Sequence, residues 1–113
     1  MTKDYRAECA DVDARVGALF KAAPAAMKPY SQLVSAVSGD KALSGKVKEL
    51  MALSISIAIR CEDCIVFHLR AALQHGATRE ETIETISVAI EMGGGPSVVY
   101  GSRALAALDA LTE

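Results

Sequence analysis

Apolar residues recur at three- and four-residue intervals along most of the chain, a pattern that predicts a succession of amphipathic helices. Over residues 4 to 22, Tyr5, Cys9, Val12, Val16, Leu19 and Phe20 share one helical face between charged positions, and Pro24 closes the segment. A second helix is predicted over 25 to 38, with Met27, Tyr30, Leu33, Val34 and Val37 as its apolar face and Gly39-Asp40 turning the chain after it. Ser44 is suited to cap a third helix, 45 to 60, in which Leu50, Met51, Leu53, Ile55, Ile57, Ala58 and Ile59 leave little polar surface. This segment is expected to be the buried central helix. Leu53 to Ile59 also alternates with period two and is rich in β-branched residues, as a strand would be. The absence of Gly and Pro from 46 to 75 favours helix.

The fourth helix is predicted to run to His75, with Gly76 as its left-handed terminator. Thr78-Arg79-Glu80-Glu81 reads as a capping box opening a fifth, which continues through Ile83, Ile86, Val88, Ala89 and Ile90 to Met92. Gly93-Gly94-Gly95 then breaks the chain, and Pro96 suits the first position of a sixth helix carrying Val98, Val99, Leu105, Leu108 and Leu111. No repeat, low-complexity segment or long linker divides the chain. The expectation is one all-α domain over residues 1–113, a bundle of about six helices.

Composition sharpens this picture at two points. The 113 residues are 51% hydrophobic without a single Trp, so the apolar content is mostly Ala, Leu, Ile, Val and Met. A mean hydropathy of +0.25 is more apolar surface than a lone domain of this size readily buries, which predicts a homo-oligomer. A net charge of −2 and a pI near 5.7 offer no basic footprint, so neither nucleic acid nor an anionic membrane is an expected partner. No apolar run reaches membrane-spanning length and the N-terminus does not resemble a signal peptide; a cytoplasmic protein is expected.

The chemistry of the chain concentrates in Cys61-Glu62-Asp63-Cys64-Ile65-Val66-Phe67-His68. On a helix, Cys64 lies one turn after Cys61 and His68 one turn after Cys64, so three side chains share a stripe. Two thiols and an imidazole so placed make a dithiol with its own base. The bland alternative, two small buried hydrophobes, accounts for the cysteines but not for an imidazole on the same stripe. Zinc is a weaker reading, because structural zinc takes four ligands and the third cysteine, Cys9, lies on a distant helix. Glu62 and Asp63 favour a helix start but oppose a thiolate.

Lys46-Val-Lys-Glu-Leu-Met-Ala-Leu, the twelve positions from Glu49 to Cys61, the Cys61-x-x-Cys64-x-x-x-His68 motif, Gly76-Ala77-Thr78 with Glu80-Glu81, and Met92-Gly93-Gly94-Gly95-Pro96 together resemble the carboxymuconolactone decarboxylase and alkylhydroperoxidase D superfamily. The resemblance covers about residues 25 to 110. It implies an alkylhydroperoxidase D-like helical fold assembled as homotrimers or homohexamers, with sites near subunit contacts. It further implies a thiol-dependent peroxidase (peroxiredoxin activity) or disulfide reductase acting on a hydroperoxide or disulfide, with no tightly bound cofactor or metal. An external reductant, a small dithiol such as lipoamide or a thioredoxin-like protein, would restore the thiols. Carried onto this sequence, Cys61 and Cys64 are the redox pair, His68 the general base and Glu49 the far end of a proton relay, reached through a water. Proximity to His68 favours Cys64 as the attacking thiol, whereas a helix-start position favours Cys61. The relay also sets a geometric demand. On one straight helix, Glu49 and His68 would stand about 28 Å apart, so the chain must turn near Arg60. Lactone decarboxylation, the superfamily's other activity, and a non-enzymatic redox-sensing oligomer are the alternatives.

Overall fold

The computed structural model describes residues 3–113, which form six helices: α1 (Tyr5–Ala22), α2 (Pro24–Val37), α3 (Gly45–Ala58), α4 (Glu62–Gln74), α5 (Arg79–Gly93) and α6 (Gly95–Leu111). The helix starts follow local chemistry. Asp4 accepts the Ala7 N–H, Ser44 accepts the Val47 N–H, and at Thr78 both halves of the capping box form. The period-two stretch 53–59 is helical almost to its end, so the unbroken backbone outweighs its β-branched residues. Pro96 occupies the second helical position rather than the first, because Gly95 already has helical geometry behind the Gly94 cap.

The core gathers Leu53 and Ile57 of α3, Ile65, Val66 and Leu69 of α4, Ile86 and Ala89 of α5, Ala104, Ala107 and Leu108 of α6, and Cys9 and Val12 of α1. Helix α3 packs on α4, α5 and α6, which makes it central as its composition demanded. Close approach between α5 and α6 depends on Gly101, where a Cβ would come within 2.9 Å of Ile86 Cγ2. Burial of α3 is one-sided. Val47, Met51 and Ile55 are exposed, as is Ile59 at its C-cap, and so are Tyr30, Leu33, Val34 and Val37 of α2, a helix that has no buried residue and, among the described residues, packs on α1 alone.

Between α3 and α4 the chain reverses at Ile59–Cys61. Arg60 takes a left-handed conformation, φ 62°; its N–H donates to Ile57 O at 3.1 Å and the Cys61 N–H to Ser56 O at 3.0 Å. These two bonds satisfy the last carbonyls of α3 in the Schellman pattern. No helix among the described residues is long and apolar enough to cross a membrane.

Candidate functional site

The turn at Arg60 makes Cys61 the end of one helix and the start of the next. Its N–H closes α3, and its Sγ accepts the Cys64 N–H at 3.3 Å as the N-cap of α4. Cys61 therefore stands at the cap rather than within the helical stripe. Cys64, in the first turn, is disulfide-bonded to it, with the Cα atoms 5.2 Å apart. Both cysteines are partly accessible. His68 follows Cys64 by one turn on the same face, a spacing that sets Cβ atoms about 5–6 Å apart.

His68 is held from across the helical hairpin. Its Nδ1 lies 2.7 Å from Glu49 Oε2 of α3. A carboxylate can only accept here, so Nδ1 carries a proton, and in the neutral imidazole Nε2 is then the acceptor. The contact is direct, which corrects the expectation of an intervening water: α3 and α4 pack closely enough for the side chains to meet. The neighbouring lysines are otherwise engaged. Lys46 pairs with Glu81 at 2.8 Å, and Lys48 donates to the carbonyls of Val37 and Gly39 at 2.7 and 2.9 Å, tying off the end of α2.

Glu49 and His68 open onto a cleft of about 330 Å³ between α2 and the α3–α4 hairpin, walled by Tyr30, Leu33, Val34 and Val37 on one side and by Lys48 and His75 on the other. The two cysteines do not line it. Sequence reasoning missed both Lys48 and His75. The cation eleven residues after Val37 gives no local signal, and His75 reads only as the end of α4.

The acidic pair between the cysteines is compensated. Glu62 meets Arg103 of α6 and Lys3, the latter at 3.4 Å, and Asp63 meets Arg15 of α1 at 2.9 Å. Exposed pairs of this kind contribute little stability, but they offset the negative charge beside the thiols. Cys9 is a free, buried thiol that donates to Val66 O at 3.9 Å, and burial pushes its pKa up. Among the described residues no group of three or more His, Cys, Asp or Glu is placed to hold a metal ion.

Known proteins are similar to this chain in sequence and in fold. An uncharacterised protein of Cupriavidus necator is 42% identical over 111 residues, covering 98% of each chain. A crystal structure of a carboxymuconolactone decarboxylase family protein from Legionella pneumophila, in its apo form, superposes with a TM-score of 0.92 at 35% identity, over 99% of this chain and 100% of that one. A Thermotoga maritima protein of the same family, for which a part in the antioxidative response has been suggested, gives a TM-score of 0.72 at 38% identity, over 76% of this chain and 89% of that one. The sequence profile of the carboxymuconolactone decarboxylase family matches residues 24–110, which take in all of α2 to α5 and nearly all of α6. With the profile and the helical fold in agreement, this chain belongs to the carboxymuconolactone decarboxylase family.

Proposed function

We propose that this protein is a dithiol oxidoreductase, a thiol-dependent peroxidase or disulfide reductase, in which Cys61 and Cys64 carry the electrons, His68 is the general base and Glu49 orients it. The observation that supports this most is the 2.7 Å bond from His68 Nδ1 to Glu49, one turn from a bonded cysteine pair. Such a bond favours the neutral tautomer in which Nε2 is free to take a thiol proton.

In the reduced protein His68 takes the proton of Cys64, its neighbour on the same face. The thiolate attacks the terminal oxygen of a hydroperoxide, giving a sulfenic acid on Cys64 and, with the proton returned by His68, an alcohol. Cys61 then attacks that sulfur, forming the disulfide and releasing water. Two electrons from an external dithiol, lipoamide or a thioredoxin-like protein, restore both thiols. The cleft beside Glu49 and His68 lets the relay exchange protons with solvent.

The assembly proposed with this chemistry is a homotrimer or homohexamer in which a neighbouring chain covers the exposed apolar faces of α2 and α3. Peroxide consumption driven by a dithiol tests the function. Sustained turnover supports it, and a single stoichiometric oxidation points instead to a redox sensor. Loss of a carboxylated lactone, unaffected by blocking the thiols, would replace it with decarboxylation.

A further inference from the structure

Helices α3 and α4 end in the same hydrogen-bonded motif, but the chain fills its left-handed position differently. After α4 that position is Gly76, φ 86°, with Gly76 N–H on Leu73 O and Ala77 N–H on Ala72 O, both at 3.0 Å. After α3 it is Arg60, the one residue other than glycine with positive φ among the described residues. Glycine adopts this conformation without the steric conflict that a Cβ brings. A side chain in that position, immediately before the Cys61–Cys64 disulfide, invites a use beyond the turn itself.

The use is read from charge. Of the six arginines, five have partners: Arg6 donates to Ala110 O, and Arg15, Arg70, Arg79 and Arg103 pair with Asp63, Asp13, Asp109 and Glu62. Arg60 is exposed and enters no hydrogen bond or ion pair from its side chain among the described residues. The acids that follow it most closely in the chain, Glu62 and Asp63, are engaged by Arg103, Lys3 and Arg15. The residue that immediately precedes Cys61 thus carries an uncommitted guanidinium. A guanidinium suits a carboxylate, which it can meet with two parallel hydrogen bonds.

Resting on the redox reading above, we infer that Arg60 is a specificity-determining residue, recognising a carboxylate on the small thiol, disulfide or hydroperoxide that reacts at Cys61–Cys64. In the thiol direction, a carboxylate-bearing thiolate attacks one sulfur of the disulfide. A mixed disulfide forms and the other cysteine leaves as thiolate. A second thiolate then displaces the protein sulfur, yielding the small-molecule disulfide and the reduced pair; the two incoming thiols supply both electrons.

The test measures reduction of the oxidised protein by 3-mercaptopropionate, neutral 2-mercaptoethanol and cationic cysteamine, in wild type and in Arg60→Gly, Arg60→Asn and Arg60→Lys. Each variant is compared with wild type for each thiol, which cancels the intrinsic reactivity of the reagents. Gly and Asn both tolerate the left-handed turn, and helical circular dichroism confirms that the variants fold. The neutral variants should slow 3-mercaptopropionate roughly 3- to 10-fold relative to 2-mercaptoethanol and favour cysteamine, with the contrast fading at high salt. Arg60→Lys should keep most of the preference. Equal changes for all three thiols would overturn the inference, leaving Arg60 an effect on the turn or on the cysteines alone. No exchange with any thiol in the wild type would overturn both this inference and the redox reading.

Discussion

Glu49 and His68 are 19 residues apart in the sequence and 2.7 Å apart in the fold, Oε2 to Nδ1. Only the reversal at Arg60 permits this, since a straight helix would separate them by about 28 Å. In the proposed mechanism the contact joins the base to the group that orients it.

Substitution should separate those two roles. His68→Ala is expected to lower dithiol turnover at neutral pH by roughly 100-fold, within the usual range for a general base, and to lose less at alkaline pH, where thiolate forms unaided. Glu49→Gln, which keeps a hydrogen bond but can also donate, should cost about 10-fold. The double variant should be little worse than His68→Ala alone, since Glu49 acts through the imidazole. A flat loss across pH in the His68 variant would remove the base role.

The cysteines differ in what their replacement does to the fold. Cys61→Ser and Cys64→Ser should each abolish dithiol turnover, and a sulfenic acid should still form on Cys64 when Cys61 is Ser. Cys61 caps α4, and Ser is a better N-cap than Ala, so under reducing conditions Cys61→Ala should be about 1 kcal/mol less stable than Cys61→Ser. Thermal melts of the reduced variants give that difference. Equal stabilities would mean that the Cys61 side chain does not cap.

Much of this was legible in the chain itself, for reasons that differ by element. Ser44, Thr78 with Glu81, and Gly76 act within one turn of their own position, so their caps and termination could be read directly. The break between α3 and α4 has no Gly or Pro to mark it, and only the reach required between Glu49 and His68 located it. The direct Glu49 contact, the cationic partners of Glu62 and Asp63, and Lys48 at the end of α2 depend on how helices far apart in sequence pack. Periodicity carries no information about that. For the same reason the apolar run of α3 pointed to a buried central helix without saying which side the chain's own helices leave open; Ile55 on that side is 57% exposed.

Cys9 should behave as the inert third thiol. Alkylation of the native, oxidised protein should leave it unmodified, unfolding without reductant should label one cysteine, and unfolding with reductant all three. Burial raises its pKa, so the neutral thiol stabilises the fold fully below the unfolded value of about 8.5. That contribution is lost as pH rises through the folded value. Cys9→Ala should therefore flatten the alkaline limb of the stability curve, and a disulfide from Cys9 to Cys61 or Cys64 would contradict the assignment of the redox pair.

At the acid end, Asp13 accepts two hydrogen bonds from Arg70, at 2.9 and 2.8 Å, and the guanidinium holds its carboxyl below the usual range. Glu81 is lowered by Lys46 and by the Thr78 N–H. Depressed carboxyls stabilise above their unfolded values of about 3.9 and 4.3 and lose that contribution as pH falls through the folded ones. Asp13→Asn and Glu81→Gln should each make stability less dependent on pH between about 5 and 2, as read by urea melts. An unchanged acid limb in both would show that these exposed pairs are screened.

The last expectation concerns α2, whose position is hard to reconcile with an isolated chain. Of its apolar face, Tyr30, Leu33, Val34 and Val37 are exposed, Leu33 at 60%. The outer side of α3 adds Met51 and Ile55, and α5 adds Met92, 77% exposed. Two separate apolar faces on one chain suit a head-to-tail contact, which closes into a ring when its rotation allows. Sedimentation should therefore give a trimer or larger at micromolar concentration. Val34→Glu and Ile55→Glu change exposed positions, so each should leave helicity intact while dissociating the assembly. A monomeric wild type, or variants that assemble as before, would remove the neighbouring chain from the proposed site.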